Sequence, residues 1–208
     1  MSLESRLWLG SQPLLLASGS ATRRDMLLAA GVPVETISPD VDERAIEVPL
    51  QDQGAAASTI ALTLARAKAL AVSQRHPGRT VLGADQTLTC EGIAFHKPGN
   101  RAEAASQIDV LSGRTHELHA AFVLARDGAV LVEDLGSARL SMRPLTPAFI
   151  ATYLDMVGPA ALASVGGYQI EGPGAQLFAS IDGDHFTILG LPLFAVLAAL
   201  RDLDLLAR

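Results

Sequence analysis

The sequence predicts an α/β fold. Short apolar runs that read as strands alternate along the chain with longer segments that read as helices. Gly, Pro and Asp-Gly pairs punctuate them. Polar and charged residues recur where the strand-like runs end, the edge at which open α/β sheets bind ligands.

The first strand covers residues 14–17 and is followed by Ser18-Gly19-Ser20-Ala21-Thr22-Arg23-Arg24. A helix over 23–30 is closed by Gly31, and a second strand covers 34–38. Residues 39–43 form an acidic turn, and 44–53 read as irregular. A long helix over 55–74 ends at His76-Pro77-Gly78, with Ile60, Leu64, Ala67 and Ala71 in its apolar stripe and Lys68 on or beside it. The third strand covers 80–84, ends on Asp85 and is extended by 87–90 to the turn Glu91-Gly92. A helix over 102–111 stops at Ser112-Gly113, and strands over 116–126 and 129–142 are joined by Asp127-Gly128, a hairpin signal. A helix covers 147–157, a second hairpin joins 175–181 to 186–189 around Asp182-Gly183, and a helix over 193–206 closes the chain.

Composition bounds the function. The chain has 208 residues, 49% of them hydrophobic, enough for one large domain or two lobes sharing a core. The formal net charge is -6 and no basic stripe runs along the sequence, which argues against long nucleic acid as a partner. A small anion needs only a local cluster of Lys and Arg. Cys90 is the single cysteine, so no disulfide forms within the chain, and its strand position reads as a plain buried thiol. Residues 1–13 read as neither a signal peptide nor a membrane span, and no membrane partner is expected. These readings place the protein in the cytoplasm.

Several residues carry chemistry. The junction from the first strand into the first helix sets serine hydroxyls and Arg23 beside free backbone N–H groups, an arrangement suited to polyphosphate oxygens. A serine N-cap followed by solvated arginines accounts for the same residues. Asp85 is delivered to a sheet edge by an apolar strand, where a carboxylate acts as a general base, holds a divalent metal or caps a turn. Gly83 and Ala84 beside it leave room for a ligand or another backbone. Asp42-Glu43 adds two carboxylates after the second strand. Lys68 either snorkels to solvent or meets phosphate in a cleft, and Lys97 follows a short strand. His116 and His119 are three apart in a strand and leave opposite faces, which is no zinc pattern, and there is neither a Walker nor a Rossmann fingerprint.

Eight segments in order resemble the Maf family of nucleoside triphosphate pyrophosphatases. They are Leu16-Ala17-Ser18-Gly19-Ser20-Ala21-Thr22-Arg23-Arg24, Val41-Asp42-Glu43, Ala65-Arg66-Ala67-Lys68-Ala69, Gly83-Ala84-Asp85-Gln86, Lys97-Pro98, Leu111-Ser112-Gly113-Arg114-Thr115-His116, Tyr168-Gln169-Ile170-Glu171-Gly172 and Gly190-Leu191-Pro192-Leu193. The resemblance implies a two-lobed α/β domain over 14–208, built on a mixed sheet with a deep central cleft and similar to the inosine triphosphatase superfamily, after an N-terminal extension over 1–13. It implies a cut between the α and β phosphates of a nucleoside triphosphate, including noncanonical ones, dependent on Mg or Mn. By motif match, Ser18, Arg23, Lys68 and Lys97 hold phosphates. Glu43 and Asp85 serve the metal and the water, with Asp85 as proton acceptor. Thr22, Gln86 and Glu171 fall at positions that track base choice. The last two match members acting on 7-methyl-GTP, whereas Thr22 matches neither those nor members acting on dTTP and UTP. The sequence departs from the family at Ala21, where Pro is usual, and at His96, where Gly is usual. A nucleotide-binding regulator of cell division without turnover stays as the competing class, and a homodimer is left open.

Overall fold

The structure is a computed structural model that describes residues 7–208. The chain divides into two compact units, Met1–Gln86 with Ala120–Gly136 and His185–Arg208, and Thr87–His119 with Ser137–Asp184. The chain passes between them four times, three of them within long strands and once between Asp184 and His185. Among the described residues seven strands make one mixed sheet; in space the second strand of the chain is followed by the first, third, fifth, sixth and seventh, with the fourth beside the third.

In the first unit, β1 (Leu14–Ala17) lies between β2 (Val34–Thr36) and β3 (Val81–Cys90), parallel to both. Its side chains alternate between two cores, as strand geometry requires. Leu14 and Leu16 join Leu27, Leu82, Phe122 and Leu200. Leu15 and Ala17 join Val72 and Val81. Helix α1 (Ala21–Ala29) starts where the Ser20 hydroxyl accepts from the Arg23 backbone N–H at 3.3 Å. Helix α2 (Glu43–Asp52) starts the same way, with Asp42 accepting from the Ala45 N–H at 3.1 Å. Helix α3 (Ala57–Arg75) packs its small residues Ala61, Ala65 and Ala69 against Ala121, Val123 and Ala125 of β5 (Thr115–Arg126). Strands β5 and β6 (Ala129–Met142) turn through Asp127 and Gly128, both at positive φ, as a tight hairpin requires.

The second unit holds β4 (Ile93–Phe95), antiparallel to β3, then α4 (Arg101–Leu111) and α5 (Pro147–Val157). Short 3₁₀ segments over Gly158–Leu162, Val165–Gly167 and Gly172–Leu177 lead into β7 (Phe178–Asp182), antiparallel to β6. The first unit is completed by α6 (His185–Ile188) and α7 (Leu193–Asp202).

Four expectations need correction. Residues 44–53 lie mostly in helix α2, despite Pro49. Ala45, whose carbonyl loses its usual partner, is an exposed residue, and Asp42 supplies the cap. Asp85 is not at a strand terminus but inside the continuous β3; its neighbour β1 ends opposite Gly83, two residues earlier. The second hairpin is absent, because β7 pairs with β6 and residues 185–188 form one helical turn. A Cβ on Gly183 would sit 2.5 Å from the Ala138 Cβ, so this glycine serves a close backbone approach rather than a hairpin turn. The last helix stops at Asp202, and Leu206 instead bridges to Trp8. Of the N-terminal extension, residues 1–6 lie outside the described residues, while the Leu9 N–H donates to Leu205 O at 3.0 Å and the Ala207 N–H to Leu7 O at 2.9 Å.

Candidate active site

A buried group of charges in the first unit is assembled by a glycine. A Cβ on Gly83 would lie 2.3 Å from Ala65 O and 2.5 Å from Ala69 N, so only a residue without one lets α3 settle onto β3. The backbone for which Gly83 leaves room is therefore that of α3. One turn along, the Lys68 ammonium reaches Asp85 Oδ1 at 2.6 Å and Glu43 Oε1 at 2.9 Å. Lys68 does not snorkel outward: its side chain is 8% exposed and that of Asp85 11%, whereas Glu43 is half exposed. Burial pushes the Asp85 carboxyl above its ordinary range, Lys68 and Arg23 pull it back, and Glu43 adds a smaller push upward. The result is a carboxylate biased towards taking a proton while cations hold it in place.

Arg23 turns inward beside it. Its Nε donates to Gly190 O at 2.8 Å, and its Nη1 donates to Ala84 O at 2.9 Å and to the Ser18 hydroxyl at 3.1 Å. Burial lowers its pKa, and Asp85 and Glu43 oppose that change; a guanidinium remains charged throughout. The Nη2 amino group takes no part in these bonds. The Ser18 hydroxyl also accepts from the Ser20 N–H at 3.2 Å. Arg24 behaves as the plain reading of the motif expects, exposed and paired with Asp25.

Gln86 follows Asp85 and is half-buried. Its Nε2 donates to Thr187 O at 3.1 Å and to Ile188 O at 3.0 Å. Both partners are carbonyl oxygens, so the amide nitrogen must face them and Oε1 takes the other side of the amide, towards Gly190. Arg23 and Gln86 thus dock on one turn, residues 187–190. Gly190 has φ +99°, and a Cβ there would press on Gln86 Oε1 at 3.3 Å and Arg23 Nη2 at 3.4 Å. The anchoring role of this turn was not legible in the sequence: Gly190-Leu191-Pro192 marks a turn, but backbone carbonyls leave no side-chain signature. Thr22 is half-buried on the first turn of α1. Asp42 is occupied as the α2 cap, which separates its role from that of Glu43.

The structure therefore brings Ser18, Arg23, Glu43, Lys68, Asp85 and Gln86 together in the first unit. Lys97 and Glu171 belong to the second. Lys97 is exposed just before α4, and Glu171 is exposed at the start of the 3₁₀ segment Gly172–Leu177. The chain before Glu171 is fixed from below. The buried rings of His116 and Tyr168 share a 2.7 Å hydrogen bond, and Tyr153 Oη accepts from the Gln169 N–H at 3.2 Å. Burial holds the His116 imidazole at a pKa of about 4, so it is neutral near pH 7. Cys90 is buried, and burial pushes its thiol pKa up, away from nucleophilic use.

Among the described residues no three His, Cys, Asp or Glu side chains cluster as a metal site. Glu43 and Asp85 nevertheless converge on one cationic point, which the Lys68 ammonium fills. Two carboxylates there fit Mg²⁺, which takes one or two protein carboxylates and completes its shell with water and phosphate oxygens. No helix among the described residues is long and apolar enough to cross a membrane.

The comparisons agree on one family. A family model described as Maf-like protein matches residues 13–203. The chain is 54% identical to a 7-methyl-GTP pyrophosphatase of Mesorhizobium japonicum, over 93% of this chain and 97% of that protein. It is also 54% identical to a nucleoside triphosphate pyrophosphatase of Rhodopseudomonas palustris, over 97% of this chain and 98% of the other. A 7-methyl-GTP pyrophosphatase of Rhizobium etli is 52% identical over 91% of this chain and 96% of its own. The chain belongs to the Maf family.

Proposed function

We infer that the protein is a nucleoside triphosphate pyrophosphatase, an acid-anhydride hydrolase that releases a nucleoside monophosphate and pyrophosphate. The observation that carries this reading is the buried Asp85 carboxylate paired with Lys68, within the electrostatic reach of Arg23, with the half-exposed Glu43 on the same ammonium. Binding a polyphosphate calls for cations; a buried carboxylate among them calls for a proton or a metal.

The residues divide the work as follows. Ser18, Arg23, Lys68 and Lys97 hold phosphate oxygens. Arg23 is oriented by its bonds to Gly190 O and Ala84 O, which leave Nη2 for the substrate. Asp85 accepts the proton of the attacking water as the water oxygen bonds to the α-phosphorus. The bond from that phosphorus to the bridging oxygen breaks, and its electron pair leaves with pyrophosphate. Glu43 and Asp85 would hold a Mg²⁺ or Mn²⁺ ion, which when bound neutralises phosphate charge and polarises the oxygens around the reacting phosphorus. Preorganised positive charge is the main contribution a protein makes to phosphoryl transfer.

The base is assigned to the guanine type, 7-methyl-GTP included. Gln86 spends its donors on the 187–190 turn and offers only the acceptor Oε1. Glu171 is a second acceptor. By motif match Glu171 meets the base, and a carboxylate acceptor there suits the N1–H and N2–H₂ edge of guanine and repels the carbonyl oxygens of uracil and thymine. Thr22 supplies no aromatic face for a cationic methylated ring, so selectivity for the methylated form over GTP is modest.

The test is pyrophosphate release from a panel of triphosphates with Mg²⁺ or Mn²⁺, for wild type and D85N. Turnover that needs the metal, stops with chelator and falls about 10²–10⁴-fold in D85N supports the reading. Binding of triphosphates without any product would instead make the protein a nucleotide-responsive regulator.

A further inference from the structure

We propose that Lys68 is a built-in placeholder for the divalent cation, so that the cation enters only together with the nucleotide. The proposal rests on the reading above in taking Glu43 and Asp85 as the cation's carboxylates. The Lys68 ammonium has three N–H donors and commits two of them, to Asp85 Oδ1 at 2.6 Å and to Glu43 Oε1 at 2.9 Å. It stands at the point on which the two carboxylates converge. An ammonium and a divalent cation cannot share that point, and their mutual repulsion in a largely buried site is strong.

The donor inventory makes the competition one-sided without substrate. Among the described residues no third His, Cys, Asp or Glu joins the pair. A bare ion would gain two carboxylates and would have to strip both from a lysine that is itself buried and would be left unpaired, which is costly. A triphosphate changes both terms. Its oxygens supply the missing ligands for the cation, and they give the Lys68 ammonium a new acceptor. Lys68 therefore acts twice: it neutralises Asp85 and Glu43 in the resting protein, and it follows the phosphates when the nucleotide–metal complex arrives. A resting site closed to free metal has a further consequence. The pair of carboxylates is kept from acquiring the wrong ion between turnovers.

Titration of the full-length protein with Mn²⁺ alone, followed by calorimetry or by electron paramagnetic resonance, tests this without substrate or turnover. Wild type is expected to bind Mn²⁺ weakly. K68M, which keeps the length and removes the charge, is expected to bind at least roughly tenfold more tightly. K68Q is the second variant should K68M fail to fold, with the same expectation. Adding E43Q to either should remove the gain. Saturable binding by wild type at micromolar Mn²⁺ overturns the proposal. So does unchanged affinity in the Lys68 variants, or a gain that survives E43Q. Absence of turnover on every triphosphate would sink the hydrolase reading and leave these titrations to stand or fall separately.

Discussion

Gly83 and Ala65 meet so closely that a methyl group on the glycine would lie 2.3 Å from the Ala65 carbonyl oxygen. That approach places α3 on β3 and brings Lys68 to Asp85. The pairing of Lys68 with Asp85 therefore depends on a residue with no side chain.

G83A should destabilise the protein by about 1–3 kcal/mol, the usual cost of forcing extra volume into a packed core. It should also lower turnover by moving Lys68 from Asp85. Urea unfolding and pyrophosphate release measure the two effects. Wild-type values for both would show that α3 has room to move without consequence.

R23K should impair hydrolysis with every base. The guanidinium bonds Gly190 O, Ala84 O and the Ser18 hydroxyl through two nitrogens in a fixed fork, which an ammonium cannot reproduce. The two carbonyls would lose the guanidinium N–H groups, at a cost of about 1–3 kcal/mol where no other donor replaces them. Turnover on a panel of triphosphates reads the effect, and a loss confined to one base would place Arg23 at the nucleobase.

The alternating pattern, the β5–β6 hairpin and α5 were legible in the sequence because local signals and tertiary packing agree there. Asp127-Gly128 supplies two positive φ values, and Pro147 opens a helix capped by Thr146. The misreadings arose where packing overrode local pattern. Asp182-Gly183 has the composition of a hairpin turn, yet Gly183 is needed for contact with Ala138, and the strand before it pairs with β6. Asp85 read as a strand end because Gly83-Ala84 and Gln86 weaken the apolar run, whereas the backbone continues as β3. The charged residues that lie together in the first unit are ones that residue type and motif order single out. Their backbone partners at Ala84, Thr187, Ile188 and Gly190 were not, since every residue carries a carbonyl.

H116F should show a stability penalty that shrinks in acid. Burial lowers the His116 pKa from 6.5 to about 4. The unfolded chain therefore binds the proton more readily than the native one across that window. Native stability contributed by the neutral, buried imidazole is present above the unfolded value and is lost as pH falls through 6.5 towards about 4. At about 1.36 kcal/mol per unit the span amounts to roughly 3 kcal/mol. Phenylalanine does not titrate, so the difference between wild type and H116F in urea unfolding should be largest near neutrality and smaller towards the acid end. A difference independent of pH would mean that His116 is not buried in its neutral form.

E171Q should shift preference towards UTP and dTTP. A carboxylate repels the carbonyl oxygens of those bases, and an amide offers them a donor; such mismatches cost on the order of 1–3 kcal/mol. The ratio of kcat/KM for GTP to that for UTP measures it. If wild type already prefers UTP and dTTP, and the variant leaves that ratio where it was, Glu171 does not read the base.

Product identity tests the central claim most directly. The protein, supplied with a triphosphate and Mg²⁺ or Mn²⁺, should yield a nucleoside monophosphate and pyrophosphate in equal amounts, separated by anion-exchange chromatography. A nucleoside diphosphate with orthophosphate as the main products would contradict it, because the bridge cut would then be the one between the β and γ phosphates and not the one between α and β.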